Sequence, residues 1–146
     1  MGKRGTRRPP ADEAACPCGT GDPYSRCCGR LHRGEADAGT AEALMRSRFA
    51  AFAVGDAAYL MRSWHPTTRP TALDLDPRTR WTRLEVLATD RGGVFDTVGE
   101  VEFRAHYRER GRPGTLHERS RFRREDGRWV YLDGRAGPDR GGPEPA

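Results

Sequence analysis

The sequence of 146 residues lacks isoleucine, asparagine and glutamine, and Lys3 is the only lysine among its 26 basic residues. Arginine, alanine, glycine and proline are abundant instead, a bias that is typical of GC-rich coding sequences. The formal net charge of +5 therefore reflects codon usage as much as function. It is weak evidence for nucleic-acid binding, which ranks third behind a protein partner and a small-molecule ligand.

Long apolar runs are also absent. No stretch approaches the roughly 18 apolar residues that predict a membrane-spanning helix, and no apolar segment of a secretory signal follows the basic start of the chain. We therefore expect a cytoplasmic protein without membrane contact. Apolar residues make up 35% of the chain and charged residues 32%, which allows one modest hydrophobic core.

The chain divides into four regions by composition. Residues 1–14 are expected to form a disordered basic arm, and residues 135–146 a disordered Gly/Pro tail. Residues 15–35 contain all four cysteines but few apolar residues, so hydrophobic burial alone cannot fold them. Residues 40–134 carry all the periodic patterning and are expected to form one domain.

Helical spacing comes first within residues 40–134. Thr40 suits the N-cap of a helix that ends at Gly55. Asp56 suits the N-cap of a second, shorter helix that ends at His65-Pro66, since a residue before proline avoids helical geometry. Apolar side chains recur at helical spacing at Ala41, Leu44, Met45, Phe49 and Phe52, and then at Tyr59, Leu60 and Trp64.

Further along, apolar residues alternate with polar ones in four segments, which predicts four strands at 81–89, 98–107, 116–124 and 129–133. Asp126-Gly127 separates the last two segments and is a strong hairpin signal. Two helices followed by an antiparallel meander predict an α+β fold, in which the helices pack on one face of a curved sheet.

The clearest motif is a cluster of four cysteines, namely Cys16, Cys18, Cys27 and Cys28. Four soft ligands so close in sequence suit tetrahedral zinc, and Gly19 and Gly21 suit the tight turn that folds the chain around an ion. Two disulfides and a redox-active C-x-C pair are the alternatives. Disulfides across C-x-C or between adjacent cysteines are strained, whereas cross-pairs such as Cys16–Cys27 with Cys18–Cys28 remain geometrically possible. Disulfides belong to exported proteins, however. We predict a structural zinc with four cysteine ligands; His32 is the alternative for one of them.

The run from Cys16 to Gly29 resembles the SEC-C motif, the zinc module at the C-terminus of the translocase ATPase SecA. The last ligand there is usually histidine, whereas Cys28 occupies this position here. The runs 43–52, 64–66, 117–122 and 129–134 extend the similarity to the YchJ-like (UPF0225) family over roughly residues 15–134. The resemblance implies an NTF2-like cone with a small N-terminal zinc knuckle.

The resemblance also implies partners. The SecA module binds the chaperone SecB and contacts the ribosome, so a secretion chaperone or the ribosome is expected here, and NTF2-like sheets often pair as homodimers. Some relatives carry a second SEC-C module at the C-terminus, but no cysteine follows Cys28. The preferred interpretation is a zinc-binding adaptor that docks a protein partner through the knuckle.

NTF2-like cones often enclose a pocket, which favours a small-molecule binder or an enzyme as the second interpretation. Phe122 predicts that Glu118 and Ser120, on the same strand face, point inward. The candidate pocket residues are His65, Arg69, Glu118, Tyr131 and Asp133, which could perform general acid–base chemistry. A purely structural role is the alternative, with Glu118 paired to an arginine of the first helix, Arg46 or Arg48. No catalytic motif is present.

The opposite face of the sheet is expected to carry arginines 104, 119, 121 and 123. Such a stripe could contact RNA or an acidic protein. No aromatic residue alternates with the arginines to stack on bases, which argues against RNA. We therefore expect a solvated strand face.

Overall fold

The computed structural model describes residues 13–136. Its elements are a 3-10 helix (Tyr24–Arg26), the helices α1 (Cys28–His32), α2 (Ala41–Val54) and α3 (Ala57–Arg62), and the strands β1 (Thr79–Arg91), β2 (Val98–Glu109), β3 (Arg112–Glu125) and β4 (Arg128–Ala136). The strands form one antiparallel sheet in the order β1-β2-β3-β4. No helix in this part of the chain has the length and apolarity that crossing a membrane requires. The predicted arm and tail lie mainly outside the described residues, although β4 continues through Ala136.

Side-chain caps define the two longer helices as the sequence predicts. The Thr40 hydroxyl accepts a hydrogen bond of 3.0 Å from the Ala43 amide at the start of α2. Gly55 ends α2 with φ of 82°, a left-handed conformation that favours glycine. The Asp56 carboxylate then accepts a 3.0 Å bond from the Tyr59 amide and starts α3.

Helix α2 is buried from three directions. Leu44, Met45 and Phe49 belong to the main core with apolar residues from all four strands. Ala50 packs against the cysteine segment, and Ala51 packs against α3 and Leu31. The helices therefore lie on one face of the sheet, which confirms the predicted α+β architecture.

A bulge in β4 changes which side chains face the core. Phe122 pairs with Tyr131 and Arg121 pairs with Asp133, so Leu132 is an extra residue on β4. Tyr131 consequently lies on the inner face with Phe122, and Asp133 lies on the outer face with Arg121. Simple alternation along the last strand predicts that Tyr131 and Asp133 share a face; this prediction is wrong, because an extra residue reverses the alternation.

The segment Gly-Arg-Pro-Gly at 111–114 is typical of a turn, but the β2–β3 hairpin turns before its proline. Glu109 pairs with Arg112, so the turn is Arg110-Gly111, with φ of 55° and 79°. Pro113 therefore lies within β3, opposite Arg108. Strand β4 pairs with β3 only from Glu118 onward. At Pro113, β3 therefore has β2 as its only neighbouring strand, and the missing N–H of proline breaks no hydrogen bond to β4.

Candidate functional site

The four cysteine sulfurs converge on one point. Their Sγ atoms all lie within 4.8 Å of one another, and the Sγ atoms of Cys18 and Cys27 are 3.6 Å apart. Tetrahedral zinc with Zn–S bonds of ~2.3 Å separates its sulfur ligands by about 3.8 Å. The spacing and the soft donor set therefore fit a single tetrahedral metal ion. Cys27 alone is partly exposed.

Backbone hydrogen bonds bring the two cysteine pairs together. The Cys16 amide donates to the Asp22 carbonyl at 2.8 Å, and the Tyr24 amide donates to the Ala14 carbonyl at 2.8 Å. Gly19 and Gly21 turn the chain between them with φ of 93° and 90°, which a residue with a Cβ adopts rarely. The glycine positions identified in the sequence thus close the loop.

The four thiols lie close enough to shift one another's pKa values. Hydrogen bonds with Cys16 and Cys28 lower the pKa of the Cys18 thiol. The hydrogen bond with Cys18 raises the pKa of Cys16 to about 12, and hydrogen bonds with Cys16 and Cys18, together with burial, raise the pKa of Cys28. Ionisation of all four neighbouring thiols at once is therefore unfavourable, and a bound divalent cation would supply the charge that holds all four as thiolates.

Two arginines attach the cysteine segment and α1 to the domain helices. Arg46 of α2 donates from Nη1 to the Cys18 carbonyl at 2.8 Å. Arg62, the last residue of α3, donates from Nη2 to the His32 carbonyl at 2.6 Å. The knuckle (residues 14–32) is therefore bound to the helices α2 and α3.

His32 has a structural position that excludes it as a metal ligand in this arrangement. Its Nε2 lies 2.9 Å from the Ser47 carbonyl and its Nδ1 lies 2.6 Å from the Tyr24 hydroxyl. A carbonyl only accepts, so Nε2 carries the proton and Nδ1 accepts from Tyr24. Burial lowers the pKa of His32, which favours the neutral ring.

A second candidate site is a cavity of about 130 Å³ between α2 and the sheet. Half of its twelve lining residues are aromatic, namely Phe49, Phe52, Trp64, Trp81, Phe103 and Tyr131. Arg48, Glu118 and Ser120 are its polar residues. Leu116 also lines the cavity and is 40% exposed, which places it at the mouth.

Arg48 introduces a buried positive charge into this apolar cavity. Only 4% of its surface is exposed, and its guanidinium carbon lies 4.6 Å from the Tyr131 ring centre and 5.0 Å from that of Trp64. Nη1 donates to the Leu60 carbonyl at 2.8 Å and to the Ser63 hydroxyl at 2.7 Å. Burial lowers the pKa of Arg48 to about 10, so the side chain stays charged at neutral pH.

Glu118 is the carboxylate of the cavity. Its Oε2 accepts hydrogen bonds from the Ser120 hydroxyl at 2.8 Å and from the Tyr131 hydroxyl at 3.3 Å. Burial, followed by the charge of Glu118, raises the pKa of Tyr131 above its usual range, so Tyr131 remains a neutral donor. Glu118 forms an ion pair with neither Arg46 nor Arg48. Arg46 binds Glu42 instead, and Arg48 binds the Leu60 carbonyl and the Ser63 hydroxyl.

The structure brings together only two of the five predicted pocket residues, Glu118 and Tyr131. His65 is buried elsewhere: its Nδ1 accepts from the Thr67 amide at 3.1 Å, and its Nε2 lies 3.3 Å from Glu125. Arg69 is exposed and donates to the Trp64 carbonyl at 2.9 Å.

Asp133 is paired with Arg121 on the outer face of the sheet, with Nη2–Oδ2 of 2.6 Å. The prediction that His65, Arg69 and Asp133 line the cavity is wrong. His65 and Arg69 serve the loop after α3, and the bulge in β4 turns Asp133 outward.

Arg48 was missed as a cavity residue, although the sequence contains a signal for it. Arg48 lies four residues after Leu44 and four before Phe52, on the apolar side of the helix. The apolar side of a helix packs against the core. An arginine on that side is therefore either buried in the core or pushes the neighbouring core side chains apart. Their positions on the helix therefore give the two arginines different surroundings: Arg48 faces the cavity, whereas Arg46 contacts the knuckle.

Two of the four arginines in the predicted stripe on the outer sheet face, Arg119 and Arg121, are paired with acidic residues. Arg119 donates to Glu100 at 2.5 Å, and Arg121 binds Asp133. His117 lies 2.7 Å from Glu102. These residues form cross-strand pairs, so the face has mixed charge, as expected for a solvated strand surface.

Comparisons with known proteins agree with both parts of the chain. The family model for the middle, NTF2-like domain of YchJ matches residues 40–134, and the SEC-C motif matches residues 14–30. A UPF0225 protein of Streptomyces coelicolor is 62% identical over 119 residues, which span 82% of this chain and 93% of that protein. A UPF0225 protein of Corynebacterium efficiens is 54% identical over 116 residues, which span 80% of this chain and 88% of that protein.

Two solved structures are similar. The solution structure of a SEC-C motif containing protein from Rhodopseudomonas palustris has a TM-score of 0.75 and 36% identity, and covers 86% of this chain and 100% of that chain. The crystal structure of a SEC-C motif containing protein from Psychrobacter arcticus has a TM-score of 0.71 and 26% identity, with 88% and 85% covered. The chain therefore belongs to the UPF0225 (YchJ-like) family, and it joins a SEC-C motif to an NTF2-like domain.

Proposed function

We propose that this protein is a zinc-dependent adaptor. One zinc ion held by the four cysteine thiolates shapes the knuckle, and the exposed arginines of the knuckle dock an acidic surface of a protein partner. The observation that carries the proposal is that Arg26 and Arg30 flank the adjacent ligands Cys27 and Cys28. The metal would thereby set the position of the docking residues.

The inner face of the knuckle packs against α2 and is not free to contact a partner. Cys16, Cys18, Tyr24 and Cys28 are buried in one cluster with Ala50 of α2. A partner would therefore contact the exposed outer edge of the knuckle, which comprises residues 19–22 together with Arg26 and Arg30.

The two arginines of this edge are available for a partner. Both are exposed, and neither forms an ion pair within residues 13–136. Arg33, which follows them, instead binds Glu35 at 2.7 Å. Exposed charges steer association with surfaces of opposite charge, so an acidic protein surface is the favoured partner. A secretion chaperone or a ribosomal protein is the first class to examine, because of the resemblance to the SecA module.

Metal content is the first test. Elemental mass spectrometry on protein purified without a metal-affinity tag should find one zinc per chain, and the Cys27→Ser/Cys28→Ser variant should lose it. Protein that contains no metal, with free or oxidised thiols, would contradict the proposal and favour a redox function for the cysteines.

Docking is tested with charge reversal. Arg26→Glu/Arg30→Glu should keep its zinc but lose the partners that crosslinking and quantitative mass spectrometry recover with wild type in the native host. Arg112→Glu/Arg123→Glu, which reverses two exposed arginines on β3, is the matched control and should keep them. If the arginines only balance the thiolate charge, Arg26→Glu/Arg30→Glu will lose zinc affinity and keep its partners.

A further inference from the structure

The cavity under α2 has no part in the adaptor proposal, yet it contains an unusual buried charge. Arg48 is the only buried arginine among residues 13–136. Only its Nη1 is hydrogen-bonded in this part of the chain, and no carboxylate lies within ion-pairing distance. Burial of a cation without a counterion in direct contact is costly, and Glu118 acts on Arg48 only from beyond ion-pairing distance, so Nε and Nη2 represent unused binding capacity on the cavity wall.

The arrangement around Arg48 is specific rather than loose. The guanidinium packs against the rings of Trp64 and Tyr131 and is fixed by the Leu60 carbonyl and the Ser63 hydroxyl. A guanidinium held in this way is already oriented, so little entropy is lost when it binds a ligand.

We propose that the cavity binds a small organic carboxylate with a flat apolar body, with the carboxylate on Arg48 and the body against the aromatic wall. A carboxylate matches the fork of a guanidinium, and rings pack favourably against Phe49 and Phe103. The volume of about 130 Å³ is close to that of an engineered cavity of ~150 Å³ that holds benzene. The ligand therefore has a body of about one ring.

Glu118 adds a second element of recognition. Its hydrogen bonds from Ser120 and Tyr131 both end on Oε2, so Oε1 can accept a further bond from a donor on the ligand. A ring carboxylate that carries an amino group is expected to bind more tightly than the same acid without one.

The test is an NMR titration of the zinc-loaded protein with benzoate, 4-aminobenzoate and the uncharged analogue benzamide. We expect saturable shifts of the Trp64 and Trp81 indole signals with the two acids, and affinity for benzamide about 10- to 100-fold lower than for benzoate, as for loss of a charge-assisted hydrogen bond. Equal affinity for benzoate and benzamide, or no saturable binding of any probe at ~10 mM, would overturn the proposal.

Variants separate the cavity from nonspecific surface binding. Leu116→Trp should block the mouth and abolish the shifts, whereas Leu87→Trp is the matched control, because both leucines are 40% exposed and only Leu116 lines the cavity. Arg48→Lys keeps a positive charge but loses the two-pronged guanidinium, so its affinity for benzoate should be about tenfold lower. Benzoate binding that survives Leu116→Trp, or that a folded Arg48→Lys retains in full, would contradict the assignment. Arg26→Glu/Arg30→Glu should bind benzoate normally, so this test is independent of the adaptor proposal.

Discussion

Arg46 Nη1 donates a 2.8 Å hydrogen bond to the backbone carbonyl of Cys18, a residue 28 positions earlier in the chain. The same guanidinium binds Glu42 one helical turn away, with Nε–Oε2 of 3.0 Å. Helix α2 thus contributes directly to the position of a cysteine in the proposed metal site, and the knuckle and the NTF2-like domain are mechanically connected.

Replacement of Arg46 by methionine should loosen the knuckle without removing a ligand. Loss of the bond to the Cys18 carbonyl should lower the free energy of unfolding by about 1–2 kcal/mol, and zinc affinity should fall by about tenfold because a group that supports a ligand is lost. Urea unfolding and chelator competition measure the two effects. Arg121→Met, which breaks an exposed ion pair on the sheet, should change neither by a comparable amount.

Metal removal should affect the two parts of the chain differently. The knuckle has little apolar content of its own, so we expect its stability to depend on the proposed ion, whereas the main core between α2 and the sheet contains no cysteine. Hydrogen exchange of chelator-treated protein should show loss of protection in residues 14–32 and retained protection in β2 and β3. Equal loss of protection in the strands would show that the domain cannot fold without the knuckle.

Stability should depend on pH through His32. Burial lowers the pKa of His32 in the folded state, while the unfolded chain has the ordinary value of about 6.5. The unfolded state therefore binds the proton more readily, so stability is complete above pH ~6.5 and falls below it, by at most about 1.4 kcal/mol per pH unit.

The non-titrating variant His32→Gln tests this dependence, because its amide can still donate to the Ser47 carbonyl. The free energy of unfolding should fall more in wild type than in His32→Gln between pH 7.5 and 5.5. Protonation of the metal site contributes equally to both proteins, so the difference isolates His32. Identical pH profiles would contradict a buried neutral histidine.

Gly99 should not tolerate a side chain. A Cβ at this position would lie 2.5 Å from Gly92 Cα and 3.1 Å from Ala41 Cβ. Gly92 cannot move away, because its amide binds Val98 and its carbonyl binds the Ala41 amide at 2.9 Å. Gly99→Ala should therefore lower the free energy of unfolding by about 2 kcal/mol.

A matched control is available at Gly39, where a Cβ would meet nothing within 4 Å. Gly39→Ala should leave the denaturation midpoint nearly unchanged. A Gly99→Ala protein as stable as wild type would show that β1 and the start of α2 separate more easily than these contacts suggest.

Local chemistry allowed much of the fold to be predicted. The caps at Thr40 and Asp56 and the glycine stop at Gly55 depend on residues within one turn. The inner face of β2, with Val101, Phe103 and Ala105 buried, follows from alternation. The grouping of the cysteines followed from their spacing, since a short loop leaves few ways to separate them.

The exceptions have a common cause. Strict alternation places Asp133 on the inner face, but the extra residue Leu132 becomes visible only when β4 is paired with β3. Pro113 is typical of a turn, but it lies within β3. A strand position is possible for this proline because β4 pairs with β3 only from Glu118 onward.

The amino-acid sequence by itself determined the family, the order of helices and strands, and the ligand types of the knuckle, because these depend on contacts between near neighbours in the chain. Only the tertiary structure decided that Arg46 supports the knuckle while Arg48 enters the cavity, and that Glu118 and Tyr131 meet there without His65. The physical reason is that such contacts join residues far apart in sequence, and their geometry depends on sheet register and on how helices pack.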